Sequence, residues 1–218
     1  ERVFENLPEP GDRMLARYVS GIYSLAQMGP LLRQQAAQVG MDQAEVWIGL
    51  TDGGSGLDAF IQSNFPRVDA VILDFWHACE YLSKLAKAMY PNNEEEAQSL
   101  GERWSRILKE EGGTTMLSVL REWEYPPGVS GLNAVREEVL RFFGNQESRM
   151  DYPRYEANGW YIGSGAIESA CKTVVGRRLK GAGMRWSEKG GNEVCHVRAL
   201  YRSEKGQWQA FWRQNVAA

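Results

Sequence analysis

Two short apolar runs, each followed at once by an aspartate, stand out in the first third of the chain. Residues 46–51 (VWIGLT) precede Asp52, and residues 68–73 (VDAVIL) precede Asp74. A glycine-rich loop and a short helical pattern over residues 57–64 separate the two runs. A strand, a crossover of about 15 residues and a second strand form a βαβ unit with parallel pairing. The pattern therefore predicts that both aspartates lie at the same carboxyl edge of one sheet, where open α/β sheets bind ligands.

Helical patterns lie on both sides of this unit. Apolar positions recur at helical spacing over residues 24–39, and Pro30 predicts that this helix begins or is kinked there. Residues 77–89 also have helical spacing, with one stripe that we expect to be buried: Cys79, Leu82, Leu85, Ala86 and Met89. Residues 16–23 (ARYVSGIY) are rich in β-branched and aromatic side chains and predict a further strand.

An acidic stretch without strand signals follows. Residues 92–143 have helical propensity, with breaks at Gly112-Gly113 and at Pro126-Pro127-Gly128. We interpret this stretch as an all-helical insertion that occupies about residues 90–160.

Two more helices are predicted near the C-terminus. Ser164 is placed to cap the first of them, in which Glu168 lies off the apolar stripe. The stripe expected to be buried is Ile167, Ala170, Cys171, Val174 and Leu179. An aromatic-rich helix from about Asn192 to Trp212 follows.

The bulk composition is that of an ordinary globular protein. The 218 residues are 43% hydrophobic and 24% charged, which is enough for one substantial core. No apolar run approaches the roughly 18–20 residues that cross a bilayer, and the first residues lack the order of a secretory signal. We therefore expect a cytoplasmic protein with no membrane partner. Three widely spaced cysteines, an odd number, predict free and mostly buried thiols.

The net charge of −3 hides an asymmetry along the chain. From Lys172 to the end there are ten Lys and Arg and three Glu, a net charge of +7, which leaves −10 for residues 1–171. A basic part and an acidic part thus share one chain, and the basic part permits a nucleic-acid partner.

The acidic residues at the two strand ends offer a specific chemistry. Asp52, Asp74 and the later Glu168 carry the hard oxygen ligands that Mg²⁺ and Mn²⁺ prefer. Phosphoryl transfer to or from DNA uses two such ions about 3.5–4 Å apart. Acidic residues at strand ends are common in α/β proteins, so this spacing alone does not specify a nuclease.

Two segments of the chain are more specific than this spacing. Residues 50–82 (LTDGGSGLDAFIQSNFPRVDAVILDFWHACEYL) resemble the core of DDE transposases of the Mutator-like type, especially the bacterial ISKra family. In that class a catalytic Asp-Gly stands at a strand end, and an Asp-x-x-His or Cys-x-x-His signature follows on the next strand. The matching residues are Asp52-Gly53 and Asp74-Phe75-Trp76-His77. Residues 163–190 (GSGAIESACKTVVGRRLKGAGMRWSEKG) resemble the final carboxylate motif of the family, which places its glutamate at Glu168.

The resemblance covers roughly residues 16–89 and 160–213, and it implies both a fold and an activity. The fold is an α/β ribonuclease-H-like sheet flanked by helices, with an all-helical insertion before the glutamate-bearing helix. Residues 1–89 would be a partial core, residues 90–160 the insertion, and residues 161–218 the rest of the core with a basic tail. The activity is DNA cleavage and strand transfer with Mg²⁺ or Mn²⁺, with two ions expected.

The resemblance also implies roles for individual residues. Asp52 and Glu168 would be catalytic metal ligands, with Asp74 as the alternative to Asp52. In the favoured assignment Asp74 and His77 would form a neighbouring pair that orients the site. The first catalytic aspartate of the family lies on a strand upstream of anything that aligns here, and Asp12 stands in a loop-like stretch that does not suit that role. We therefore expect an N-terminally truncated chain that is inactive alone. A catalytically inactive DNA-binding remnant of a transposase is the alternative.

The expected partner is DNA, as transposon ends and target, and a homo-oligomer is possible. Six basic residues that follow the motif glutamate are the expected contacts to DNA phosphates: Lys172, Arg177, Arg178, Lys180, Arg185 and Lys189. The same residues could instead form a solvated helix face.

Structural explanations compete with each of these assignments. His77 could satisfy a core hydrogen bond with Asp74, and Glu168 could form a surface ion pair with Lys172. The loop Gly53-Gly54-Ser55-Gly56 could hold a phosphate, although it lacks a Walker lysine and a plain turn is favoured. A phosphate-binding metabolic enzyme would have a small-molecule pocket at this loop. The His and Cys positions lack zinc-site spacing.

Overall fold

The computed structural model describes residues 16–203 and 206–216. They belong to two compact units. The first unit is Glu45–Gly165, and the second contains the described residues up to Ala44 and from Ala166 onward. Asp12 lies outside the described residues.

The first unit contains the predicted βαβ unit. Strand β1 (Ile48–Thr51) and strand β2 (Ala70–Leu73) pair in parallel, with Thr51 opposite Leu73, and helix α2 (Leu57–Asn64) connects them. Over the part of the chain that the structure describes, the sheet has these two strands. The prediction of a mixed α/β class with parallel pairing is confirmed, while the ribonuclease-H-like assignment stays a prediction.

Helix α3 (Phe75–Met89) begins directly after β2 because Asp74 caps it. The Asp74 side chain accepts a hydrogen bond from the backbone N–H of Trp76 at 2.8 Å, which satisfies one of the free donors at the helix N-terminus. The cap starts the helix two residues earlier than the apolar pattern indicates. All five side chains of the predicted stripe are buried: Cys79, Leu82, Leu85, Ala86 and Met89.

The predicted insertion is helical. Helix α4 (Glu94–Glu122), helix α5 (Leu132–Gln146) and helix α6 (Tyr152–Ala157) pack with α3 around one core that includes β2. The link between α4 and α5 contains the predicted Pro126-Pro127-Gly128 break. The other predicted break is also confirmed, because Gly112 has non-helical φ and ψ angles of 82° and 178° inside α4.

Gly112 has the backbone conformation that glycine alone adopts readily, and it allows the neighbouring Gly113 N–H to donate to the Met150 carbonyl at 2.8 Å. We expect Gly112→Ala to lower the free energy of unfolding by about 1–3 kcal/mol, because the new Cβ is strained at this φ and would lie 3.2 Å from the Met150 oxygen. Urea unfolding at constant m value measures the change.

Gly144→Ala is the matched control for this prediction. Gly144 lies in α5, and a Cβ there would meet no heavy atom within 4 Å. The alanine variant should therefore be more stable than wild type by about 0.4–1 kcal/mol, since the unfolded chain loses conformational freedom. Equal effects of the two substitutions would contradict the strain at Gly112.

The core of the first unit has large aromatic side chains. Trp104, Phe143, Tyr152 and Tyr155 are almost fully buried. The Tyr152 hydroxyl donates to the Leu73 carbonyl at 3.0 Å, and burial raises the pKa of Tyr152, which keeps the hydroxyl protonated as a donor. This bond fastens the segment after α5 to the carboxyl end of β2.

The second unit is built from helices. Helix α1 (Leu25–Gln38) contains Pro30 and begins at Ser24, which forms a capping box with Gln27. The other elements are a 3₁₀ helix (Met41–Gln43), α7 (Gly165–Ala170), a π-helical segment (Cys171–Gly176), α8 (Arg177–Leu179), α9 (Glu188–Arg202) and α10 (Gln207–Val216). α7 starts at the last residue of the first unit.

The prediction of a strand over residues 16–23 is wrong. These residues have no regular secondary structure, and helix side chains satisfy some of their backbone donors. The N–H of Tyr18 donates to the Ser203 hydroxyl at 3.0 Å, and the N–H of Ile22 donates to the Asn192 side-chain oxygen at 2.6 Å. The β-branched and aromatic composition thus reflects packing against helices rather than pairing with a strand.

Two predictions for the C-terminal helices are also wrong. In the expected stripe Val174 is buried, but Ile167 and Cys171 are exposed. A π-helical segment begins at Cys171 and changes the helical phase from there onward. The single aromatic-rich helix is two helices, since Ser203 is extended after α9 and Gly206 has a φ of 71°.

Two findings bear on the expectations from composition. No helix among the described residues is both long and apolar enough to cross a membrane. All three cysteines are free; Cys79 and Cys195 are buried as expected, whereas Cys171 is exposed. Burial raises the pKa of the Cys79 thiol to about 11, so this cysteine is a core side chain rather than a nucleophile.

Candidate functional site

Asp52 and Asp74 follow neighbouring strand ends, as the βαβ pattern predicts. The Asp74 N–H donates to the Thr51 carbonyl at 2.8 Å, which joins the backbones on which the two aspartates stand. The Asp52 side chain is exposed and accepts from the Gly54 N–H at 3.0 Å. This local turn holds the carboxylate while leaving it open to solvent.

Asp74 differs from Asp52 because it is only 3% exposed. One carboxylate oxygen accepts from the Trp76 N–H, and the other accepts from the Ser164 hydroxyl. A buried carboxylate with hydrogen bonds to both oxygens is held in place and suits a positioning role better than that of an open ligand.

The segment that ends the first unit lies beside the start of α3. The N–H of Phe75 donates to the Ile162 carbonyl at 2.8 Å. A Cβ on Gly163 would come within 2.8 Å of the Trp76 ring, so this close approach requires glycine. Ser164 follows and binds Asp74, and the motif glutamate comes four residues later in the chain.

His77 makes contacts that differ from those expected of an Asp74 partner. Its Nδ1 lies 3.1 Å from a carboxylate oxygen of Glu80, and its ring packs edge-on against Tyr81 and Phe142. Those two rings stack on each other at a centroid distance of 3.8 Å. His77 thus joins an aromatic cluster near the strand ends, and its catalytic role stays a prediction.

Arg149 is a central residue that the sequence reasoning missed. Its guanidinium is buried and donates to the Val71 carbonyl at 3.1 Å, to the Gln146 side chain at 2.6 Å and to the Thr51 hydroxyl. Gln146 in turn donates to the Gly53 carbonyl at 3.4 Å. Arg149 therefore binds the side chain before Asp52, and Gln146 binds the backbone after it.

The charge of Arg149 is part of this arrangement. Burial lowers the pKa of the guanidinium, and the carboxylate of Asp58 opposes that shift most, with Asp52 contributing in the same direction. Apolar periodicity gives no signal for such a residue. The signal that the sequence does offer is the position of this arginine, shortly after the helical stretch that forms α5.

A cleft of about 500 Å³ lies between the glycine-rich loop and α5. Its loop side is residues 53–56, and its other walls include Asp58, Tyr81, Glu138, Arg141, Phe142 and Asn145. Lys84 binds Glu138 at 2.7 Å. The N–H groups of Gly53 and Gly54 already donate to Thr51 and Asp52, and the lining contains more carboxylates than cations, so the cleft is poorly suited to phosphate.

Glu168 and the predicted DNA contacts belong to the second unit. Glu168 lies exposed in α7, and no ion pair joins it to Lys172, which the structure also describes. All six predicted contacts are exposed: Lys172, Arg177, Arg178, Lys180, Arg185 and Lys189. Lys189 lies 4.0 Å from Glu193 in a surface pair, which contributes little to stability.

The carboxylates of Asp52 and Glu168 have the chemistry of ligands for the expected metal. Asp52 and Glu168 present exposed carboxylates, and their hard oxygen atoms fit Mg²⁺ or Mn²⁺. Within residues 16–203 and 206–216 no three His, Cys, Asp or Glu side chains cluster closely enough to hold a metal ion.

No protein-family model, curated protein or solved structure matches this chain. The resemblance to ISKra-family transposases therefore stays a prediction from the two motifs.

Proposed function

We propose that this chain is the catalytic domain of a DDE transposase of the ISKra type, which cleaves DNA and transfers strands with a divalent metal ion. One observation supports this proposal most. The parallel register places an exposed Asp52 beside a buried, fully hydrogen-bonded Asp74 at the carboxyl edge of the sheet. Two aspartates with such different surroundings suit two roles, one as a ligand and one as a support.

In this proposal Asp52 and Glu168 are metal ligands, because both present exposed carboxylates with hard oxygen atoms. Bound Mg²⁺ or Mn²⁺ supplies Lewis acidity to the scissile phosphate and stabilises the attacking and leaving oxygens. Asp52 contributes an accessible negative charge that Gly54 holds in orientation. Asp74 binds the N-terminus of α3 and Ser164. Arg149 binds the Thr51 hydroxyl, and Gln146 binds the Gly53 carbonyl.

The basic residues of the second unit would bind the DNA backbone. Their side chains are exposed, and the chain from Lys172 onward has a net charge of +7. Neutralising phosphates releases counterions, which provides affinity without reading sequence. The proposed DNA contacts thus lie in the basic part of the chain, and the proposed metal ligands lie in the acidic part.

The test is a DNA-binding and cleavage assay on the full-length protein with DNA that carries the ends of the mobile element. We expect the logarithm of the association constant for DNA to fall linearly with the logarithm of the salt concentration. We also expect cleavage to need Mg²⁺ or Mn²⁺ and to stop when EDTA is added. Salt-dependent binding without cleavage would favour the DNA-binding remnant. A protein that neither binds nor cleaves DNA would overturn the proposal.

The cleft beside the glycine-rich loop favours a second candidate, a small-molecule enzyme. A pocket of about 500 Å³ is within the range of small-molecule sites. The lining argues against phosphate because Asp58 and Glu138 outnumber Arg141. This candidate predicts thermal stabilisation by a polar, non-phosphorylated ligand and no salt-dependent DNA binding, and the assay above distinguishes the two functions.

A further inference from the structure

The loop between α8 and α9 presents an unusual group of exposed side chains. Residues 184–187 have no regular secondary structure after a turn in which the Met184 N–H donates to the Gly181 carbonyl at 3.2 Å. Met184 is 43% exposed and Trp186 is 41% exposed, with an exposed Arg185 between them. Ser187 then caps α9, so the loop is anchored immediately after the tryptophan.

Exposed cations come close to this loop in the sequence. Arg177, Arg178 and Lys180 come just before the loop and are exposed. Within the described residues, none of these three cations or Arg185 has a carboxylate within salt-bridge distance. Basic residues at a helix C-terminus are favourable to the helix dipole, which accounts for the arginines but not for an exposed tryptophan beside them.

We propose that this surface, defined by Arg177, Arg178, Arg185 and Trp186, binds single-stranded DNA, with the indole of Trp186 stacked on an unpaired base. The inference rests on the proposed function, which makes DNA the partner. The positive charge of the three arginines favours a polyanion as the ligand. The exposed indole favours a nucleic acid whose bases are accessible for stacking. Bases of an intact duplex stack on each other, so a tryptophan face gains from stacking on an unpaired base only.

If this surface acts in the proposed transposase, the favoured substrate is DNA with unpaired bases next to the site of cleavage or joining. Arginines contact the phosphates on either side, and the stacking requires no particular base. The expected property is therefore a preference for single strands over duplex with little dependence on sequence.

The experiment measures binding of the full-length protein to a labelled dT20 strand and to a 20-base-pair duplex by fluorescence anisotropy at two salt concentrations. We expect Trp186→Ala to weaken single-strand binding by roughly 5- to 150-fold, the range for loss of one stacked base, and to leave duplex binding nearly unchanged. Trp186→Phe should recover much of the affinity because phenylalanine also stacks.

Trp212→Ala is the matched control, since Trp212 is 47% exposed and lies in the same unit, on α10. It should retain single-strand affinity. Equal losses for single strand and duplex in Trp186→Ala, or equal losses in the two tryptophan variants, would overturn the proposal. So would a self-association that Trp186→Ala abolishes, because a second copy would then cover this surface.

The failure of this inference is distinguishable from failure of the proposed function. If the wild-type protein binds neither DNA, the proposed function fails. If the wild-type protein binds duplex with the expected salt dependence but Trp186→Ala leaves single-strand affinity unchanged, only the stacking surface is wrong. Circular dichroism spectra and melting temperatures of the variants confirm that each one is folded before binding is compared.

Discussion

Replacing Asp52 by Asn is expected to lower metal-dependent DNA cleavage by the full-length protein about a thousandfold, while DNA affinity changes by no more than about twofold. A ligand carboxylate contributes several kcal/mol of charge stabilisation through the metal, and about 4 kcal/mol corresponds to a thousandfold in rate. Phosphate contacts dominate affinity and lie elsewhere in the proposal. Cleavage rates and anisotropy titrations on the same preparation measure both quantities.

Asp52→Asn removes the negative charge of the side chain without changing the local structure. An asparagine at position 52 keeps a side-chain oxygen that can accept from the Gly54 N–H, so the turn after β1 should persist. The lost group is the negative charge. Because Asp52 is exposed, its neutralisation leaves no buried group unpaired, and we expect the melting temperature to stay close to that of wild type.

Asp69→Asn provides the matched control. Asp69 stands just before β2, at the opposite end of the same sheet, and its side chain accepts from the Trp47 N–H at 2.8 Å. Asparagine keeps an acceptor there as well, so the two variants lose the same charge from opposite edges. Cleavage should fall in the Asp52 variant alone. Retained cleavage in Asp52→Asn, or an equal fall in both, would remove Asp52 from the active site.

The βαβ unit could be predicted because local signals agreed with one another. Apolar runs, a glycine-rich connection and terminal aspartates all indicate the same parallel pair, and the aspartates then have to share one edge. Asp74 illustrates the agreement, since the residue that ends β2 also caps α3. Elements that depend on short-range patterning are those that sequence predicts best.

The errors come from contacts with distant parts of the chain. Residues 16–23 have strand composition, yet Ser203 and Asn192 take up two of their backbone donors. Arg198 donates to the Val174 carbonyl at 2.7 Å within the π-helical segment. That segment changes the helical phase, and an apolar stripe counted at 3.6 residues per turn then indicates the wrong face.

The strand-end positions of Asp52 and Asp74 were predicted from the sequence, whereas the side chains that support them were missed. Asp52 and Asp74 follow from strand ends, whereas the difference between them, one exposed and one buried, depends on Ser164, which is 90 residues beyond Asp74. Arg149 is likewise 78 residues from the strand carbonyl that it binds. Polar groups satisfied across such separations leave no periodic signal in the sequence.

Replacing Arg149 by Met is expected to lower the free energy of unfolding by about 2–4 kcal/mol. The substitution leaves two buried carbonyl oxygens of β2 without this donor, together with the half-buried Thr51 hydroxyl and Gln146 amide oxygen. Each unsatisfied buried acceptor costs about 1–3 kcal/mol. Two effects reduce the total: methionine fills part of the space, and the penalty for burying a cation disappears.

Arg149→Lys tests whether stability depends on the several donors of the planar guanidinium or on its positive charge alone. An ammonium group is a compact point charge and cannot reach acceptors on both strands and on α5 at once. We therefore expect lysine to recover less than half of the stability lost in Arg149→Met. Full recovery with lysine would show that charge alone is required and would contradict the network around Thr51 and Gln146.

The Arg149 variants also connect stability with the candidate site. Arg106→Met makes the same chemical change on the exposed face of α4 and should alter stability by no more than about 0.5 kcal/mol, which sets the baseline for urea unfolding. Arg149 binds the Thr51 hydroxyl and Gln146 binds the Gly53 carbonyl, on either side of Asp52, so Arg149→Met should also slow cleavage at temperatures where the protein remains folded. A destabilised variant with wild-type cleavage would mean that the network supports the core but not the position of Asp52.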